Sequence, residues 1–156
     1  MKPESVTIKN IEAAFAGESM AHIKYRYFAK VCRAAGDERS AKVFEETAAQ
    51  EVQHAFGHLD LLYPGGELTP AKALEMAIAG ETYEYTEMYP QFRHLAEQEG
   101  NRKAVAELDE QIEESIEHAQ RFRDTLAKAA KRFAALAKVE ERHANQYRAT
   151  LAKVNA

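Results

Sequence analysis

With 156 residues, the chain is long enough for one sizeable core, and its length predicts a single domain. It is 46% hydrophobic and 29% charged with only 7 Gly and 4 Pro, a composition of helix formers; the net charge of −4, with Lys and Arg interleaved among Glu, argues against a nucleic-acid partner. A single cysteine, Cys32, excludes an internal disulfide, a four-thiolate iron centre and a zinc knuckle, so any metal must be held by Glu and His.

The N-terminal stretch shows no basic-then-apolar secretory pattern, and no apolar run approaches the roughly 20 residues of a membrane span, so the expectation is a soluble cytoplasmic protein. From about Thr7 to Ala35, apolar residues recur at helical spacing (Ile11, Ala14, Phe15, Tyr25, Phe28, Val31) until Gly36-Asp37 stops the helix. A second helix is predicted over Glu38 to Leu62, and the segment from Tyr63 to Pro70 is the one strong loop. Thr69 can cap the third helix with Pro70 in its first position; that helix extends to about Gln98, with Pro90 expected to kink it. Beyond Gly100 no Gly or Pro occurs, so 101 to 153 reads as one very long helix or as two joined by an unmarked turn.

This last stretch repeats itself. The residues from His118 to Lys128 recur from His143 to Lys153, a shift of 25 residues. Three residues before the histidine, the first copy has Ser115 and the second has Glu140.

Glu51 with His54 and Glu140 with His143 form Glu-x-x-His pairs, a spacing that puts both side chains on one helix face a turn apart. Glu51 shares its face with Phe44, Ala48, Ala55 and Leu62, and Glu140 with Phe133, Leu136, Ala137 and Ala144. Glu18 is framed by Ile11, Ala14, Phe15 and Tyr25; Glu81 by Leu74, Ile78, Tyr85 and Met88, with Glu84 one turn on. Ionised carboxylates on apolar faces are expensive unless they share a cation. Two Glu-x-x-His pairs plus single glutamates on two other helices are the ligand pattern of di-iron and di-manganese bundles.

At these residues the chain resembles the rubrerythrins, in the segments from Ala14 to Ala21, Phe44 to Ala55, Gly80 to Pro90 and Phe133 to Tyr147. The resemblance implies an all-α, ferritin-like four-helix bundle with an extended helical segment before the last ligand helix, in a single di-iron domain over 1–156, with 101–125 as an inserted repeat. It implies two non-haem irons: Glu51 and Glu140 bridging, Glu18 and Glu81 terminal, His143 on one iron, and Glu84 and His54 alternating on the other. Manganese stays open. Tyr25 and Tyr89 occupy the places of tyrosines that hydrogen-bond ligand carboxylates. Glu114 with His118 rivals Glu140 with His143 and ranks second on spacing and flanking sequence.

The implied activity is reduction of hydrogen peroxide to water, with electrons from a rubredoxin-like or flavin-dependent donor, since neither the length nor the cysteines allow a rubredoxin domain here. The alternatives are an iron-handling protein that oxidises ferrous iron and a structural metal-binding bundle. A homodimer is expected, and the loop suggests that it is swapped, with Glu18, Glu51 and His54 of one chain completed by Glu81 and Glu84 of the other; an up-and-down monomer with the second and third helices antiparallel also satisfies the short loop. If the second and third helices run parallel within one bundle, the connection must climb about 33 Å, whereas the steps from Leu62 to Pro70 reach only about 26–29 Å.

Overall fold

The computed structural model describes residues 5–154, with side chains described through residue 151. Every regular element among them is helical: α1 (Val6–Ala34), α2 (Glu38–Leu62), α3 (Pro70–Tyr83), a π-helical turn (Glu84–Met88), α4 (Tyr89–Gln98) and α5 (Arg102–Val154). These elements form two compact units that divide between Leu68 and Thr69.

The first unit is the α1–α2 hairpin. α1 ends where Gly36 takes φ 81°. Its N–H then bonds to Arg33 O at 3.0 Å and that of Asp37 to Cys32 O at 2.9 Å, closing the last turn. Asp37 at once caps α2, its carboxylate accepting the Ser40 N–H at 2.9 Å. The two helices approach closely because the residues between them are small: Ala29, Ala41, Ala48 and Ala55 are buried. Tyr25, Phe28 and Phe44 stack as tilted and edge-on rings beside this seam, with centroids 5.5–6.4 Å apart. Arg33 clamps Glu38 and Glu45 with four hydrogen bonds of 2.8–3.0 Å near the turn.

The second unit packs α3, the π turn and α4 along α5. Thr69 accepts the Lys72 N–H at 3.2 Å with Pro70 following it, the cap and first residue anticipated from the sequence. The helix runs through Gly80 without a break. At Pro90 the expected kink takes a specific form: the preceding turn is π-helical, with Tyr89 N–H bonding to Glu84 O. This wider turn accommodates a residue that has no N–H and whose ring crowds the carbonyl four residues back. Gly100, at φ 71°, ends α4, and Asn101 caps α5 by accepting the Ala104 N–H at 3.2 Å. α5 is one continuous helix of 53 residues, which decides between the two readings of 101–153. Ala96, Ser115 and Ala119 are buried in this unit, and Arg93 pairs with Asp109 across α4 and α5.

Candidate metal centre

The first unit brings three potential ligands together, and the second sets two glutamates against α5. In the first, Glu18 on α1 meets Glu51 and His54 on α2: one ligand atom from each lies within 4.8 Å of the others. The i, i+3 spacing puts His54 a turn beyond Glu51 on the same face, and Nδ1 of His54 lies 2.9 Å from Oε2 of Glu51. The Glu51 side chain is 14% exposed, whereas His54 is open to solvent. Two half-buried carboxylates thus converge with no lysine or arginine partner among the described residues. Two oxygens and one imidazole nitrogen at this spacing suit iron, and a cation between them offsets the repulsion of the paired acids.

In the second unit Glu81 and Glu84 project from the end of α3 and the start of the π turn, facing α5. Ser115 Oγ donates to Glu84 Oε2 at 3.1 Å, and Nδ1 of His118 lies 3.5 Å from Glu81 Oε1. Burial, reinforced by the negative charges of Glu84 and Glu81, raises the pKa of the Tyr89 phenol, so Tyr89 remains a proton-bearing neighbour of both carboxylates. Arg123 donates to Thr82 Oγ1 at 3.0 Å and to Tyr85 Oη at 3.4 Å. Its hydrogen bond is the main cause of the lowered Tyr85 pKa.

The second copy of the repeat lies elsewhere in this unit. Glu140 and His143 are 3.9 Å apart on an exposed stretch of α5, with Glu140 76% exposed. His143 lies 25 residues, or about 37 Å, further along α5 than His118. It is therefore the first copy that meets Glu81 and Glu84. Tyr25 is held in the aromatic cluster of the hairpin with Phe28 and Phe44. Ser115 and Arg123 carried no assigned role in the sequence reading. The available signal was that Ser115 falls in register with Leu108, Ala119, Phe122 and Leu126, on the buried stripe of α5.

An all-helical protein with clustered Glu and His donors on its helices is of the ferritin-like class. The rubrerythrin family profile matches residues 9–126. The rubrerythrin of Porphyromonas gingivalis is 37% identical over 134 residues, covering 79% of this chain and 67% of the relative. The rubrerythrin of Nitratidesulfovibrio vulgaris is 39% identical over 132 residues (77% and 69%), and its nigerythrin 39% over 130 residues (74% and 63%). A solved structure of nigerythrin in its fully reduced, all-ferrous state aligns at 34% identity with a TM-score of 0.41, covering 82% of this chain and 70% of that one. The chain belongs to the rubrerythrin family, a family of di-iron oxidoreductases. It spans about two thirds of the length of these relatives. The family match includes 101–125, the stretch read from the sequence as an insertion, and ends before Glu140 and His143.

Proposed function

We propose that this chain is a di-iron oxidoreductase that reduces hydrogen peroxide to water with electrons from an external rubredoxin-like or flavin-dependent donor. The convergence of Glu18, Glu51 and His54 within 4.8 Å is the observation that carries this reading. Glu81, Glu84 and His118 are the proposed second set of ligands. Glu140 and His143, favoured by spacing and flanking sequence, stand on an exposed stretch of α5. Two irons held by these groups would offer one electron each, and two electrons with two protons turn one hydrogen peroxide into two waters.

The protein's own part is to place oxygen-rich donors, hold them still and keep a proton at hand. Glu51 and His54 steady each other through their 2.9 Å contact. Ser115 holds one oxygen of Glu84, leaving the other for a cation. Tyr89, kept protonated by its surroundings, can donate a hydrogen bond or a proton beside Glu84.

We read the active species as a homodimer in which donors from two chains combine, for the short connection from Leu62 to Pro70 favours exchange of helices between copies. The full chain, loaded anaerobically with ferrous iron, is expected to bind two irons and to consume hydrogen peroxide through many turnovers while a reductant is supplied. Loading with no uptake of iron, or one stoichiometric oxidation without cycling under reductant, overturns the peroxidase reading.

A further inference from the structure

α5 turns toward Glu81 and Glu84 a face that carries Ser115 and His118 one turn apart. Ser115 is 3% exposed, the one buried polar residue among those described, and its hydroxyl goes to Glu84 Oε2 at 3.1 Å. A buried hydroxyl directed at a carboxylate stabilises the charged form and fixes its rotamer. The chain also contains the alternative to this arrangement. The second copy of the repeat has the same histidine register, His143, but carries Glu140 where the first carries Ser115. Three residues before its histidine, the copy that meets the carboxylates of α3 and the π turn therefore carries a hydroxyl where the exposed copy carries an acid.

We propose that Ser115 is a positioning residue that takes the place of a carboxylate on α5, fixing Glu84 by its hydrogen bond and leaving the centre one negative charge poorer. The inference rests on the ligand reading given under Proposed function. Glu81 and Glu84, the carboxylates beside Ser115, carry two negative charges, which balance a ferrous ion but fall one short for a ferric ion. A third carboxylate at 115 would favour the ferric ion by direct charge attraction. With serine there, the centre is held toward its ferrous form, so a comparatively weak donor suffices to reduce it and a stronger oxidant is needed to oxidise it.

The test uses the full chain loaded anaerobically with ferrous iron alone, comparing the parent with S115A, S115T and S115E. The readouts are iron per chain, the ferric absorption spectrum, and the ferric-to-ferrous ratio at fixed solution potentials. S115E is expected to keep its iron and to move that ratio toward ferric by at least about tenfold. S115A is expected to bind iron with an altered ferric spectrum, and S115T, which keeps the hydroxyl, to restore it. An unchanged or opposite ratio in S115E overturns the charge argument, and an S115A spectrum identical to the parent's overturns the positioning role. If S115E does not fold by circular dichroism, the S115A and S115T pair decides the matter. A parent chain that takes up no iron overturns the ligand reading itself, before any variant is compared.

Discussion

Nδ1 of His118 lies 3.5 Å from Oε1 of Glu81, on the turn of α5 that also brings Ser115 to Glu84. Among the described residues His143, its counterpart in the repeat, pairs with the exposed Glu140. His118→Ala is accordingly expected to lower iron content by about one per chain, and His143→Ala to leave it unchanged. Iron analysis of the two purified variants checks this, and the reverse pattern restores the second copy as the ligand helix.

The helices of this protein were readable because their ends carry local chemistry: Gly36 and Gly100 at positive φ, Asp37 and Thr69 as caps, Pro70 at a first position. The convergence of Glu18, Glu51 and His54 was readable for a related reason, since acids on an apolar stripe need a partner wherever the stripe is buried. Which of His118 and His143 lies beside Glu81 was not readable in the same way. Both copies present the same periodic face, and what separates them is which length of α5 lies against α3 and α4, a tertiary fact with no local signal. The better-formed Glu-x-x-His spacing favoured the copy that lies exposed. The π turn was equally hidden: Pro90 announced a disturbance, but not that the helix would absorb it by widening one turn.

Glu51→Ala removes one of the two half-buried carboxylates of the hairpin set and leaves Glu18 with His54. It is expected to abolish binding of at least one iron and to reduce peroxide turnover by a hundredfold or more, roughly the upper end for loss of a group that orders a metal site. Glu51→Gln, which keeps the shape without the charge, is expected to bind iron more weakly than the parent. Isothermal titration with ferrous iron under anaerobic conditions measures both, and parent-like affinity in Glu51→Ala counts against the assignment.

The Asp37 cap gives a pH dependence with a defined sign. The Ser40 hydroxyl and, after it, the Ser40 N–H hold the Asp37 carboxyl below its ordinary pKa. A group whose pKa is lower folded than unfolded contributes its stability in full above the unfolded value, about 3.9, and loses it as pH falls through the folded one. Asp37→Ala should therefore melt a few degrees below the parent at neutral pH, with the difference shrinking as pH drops below about 4. Thermal melts at the two pH values decide it; a constant difference means that the cap acts without its charge.

Ala48 links the packing of the hairpin to its metal-binding geometry. It is 2% exposed in the seam between α1 and α2, and its carbonyl accepts a 2.8 Å hydrogen bond from His22 Nδ1. It sits one turn before Glu51 on α2, while His22 sits one turn after Glu18 on α1. A larger side chain at 48 can be accommodated only by moving the helices apart, and overpacking of this kind costs about 1–3 kcal/mol. The same movement carries Glu18 away from Glu51, stretching a donor set whose ligand atoms now lie within 4.8 Å. Ala48→Leu is thus expected to lower the melting temperature and to weaken ferrous binding at least about tenfold, although no ligand has been touched. Ala48→Gly leaves room in the seam, so it should cost helix stability of roughly 1 kcal/mol with a much smaller change in iron affinity. Parallel melts and ferrous titrations of the two variants separate the effects. If Ala48→Leu binds iron as tightly as the parent despite its lower melting temperature, the spacing of α1 and α2 does not set the geometry of the site.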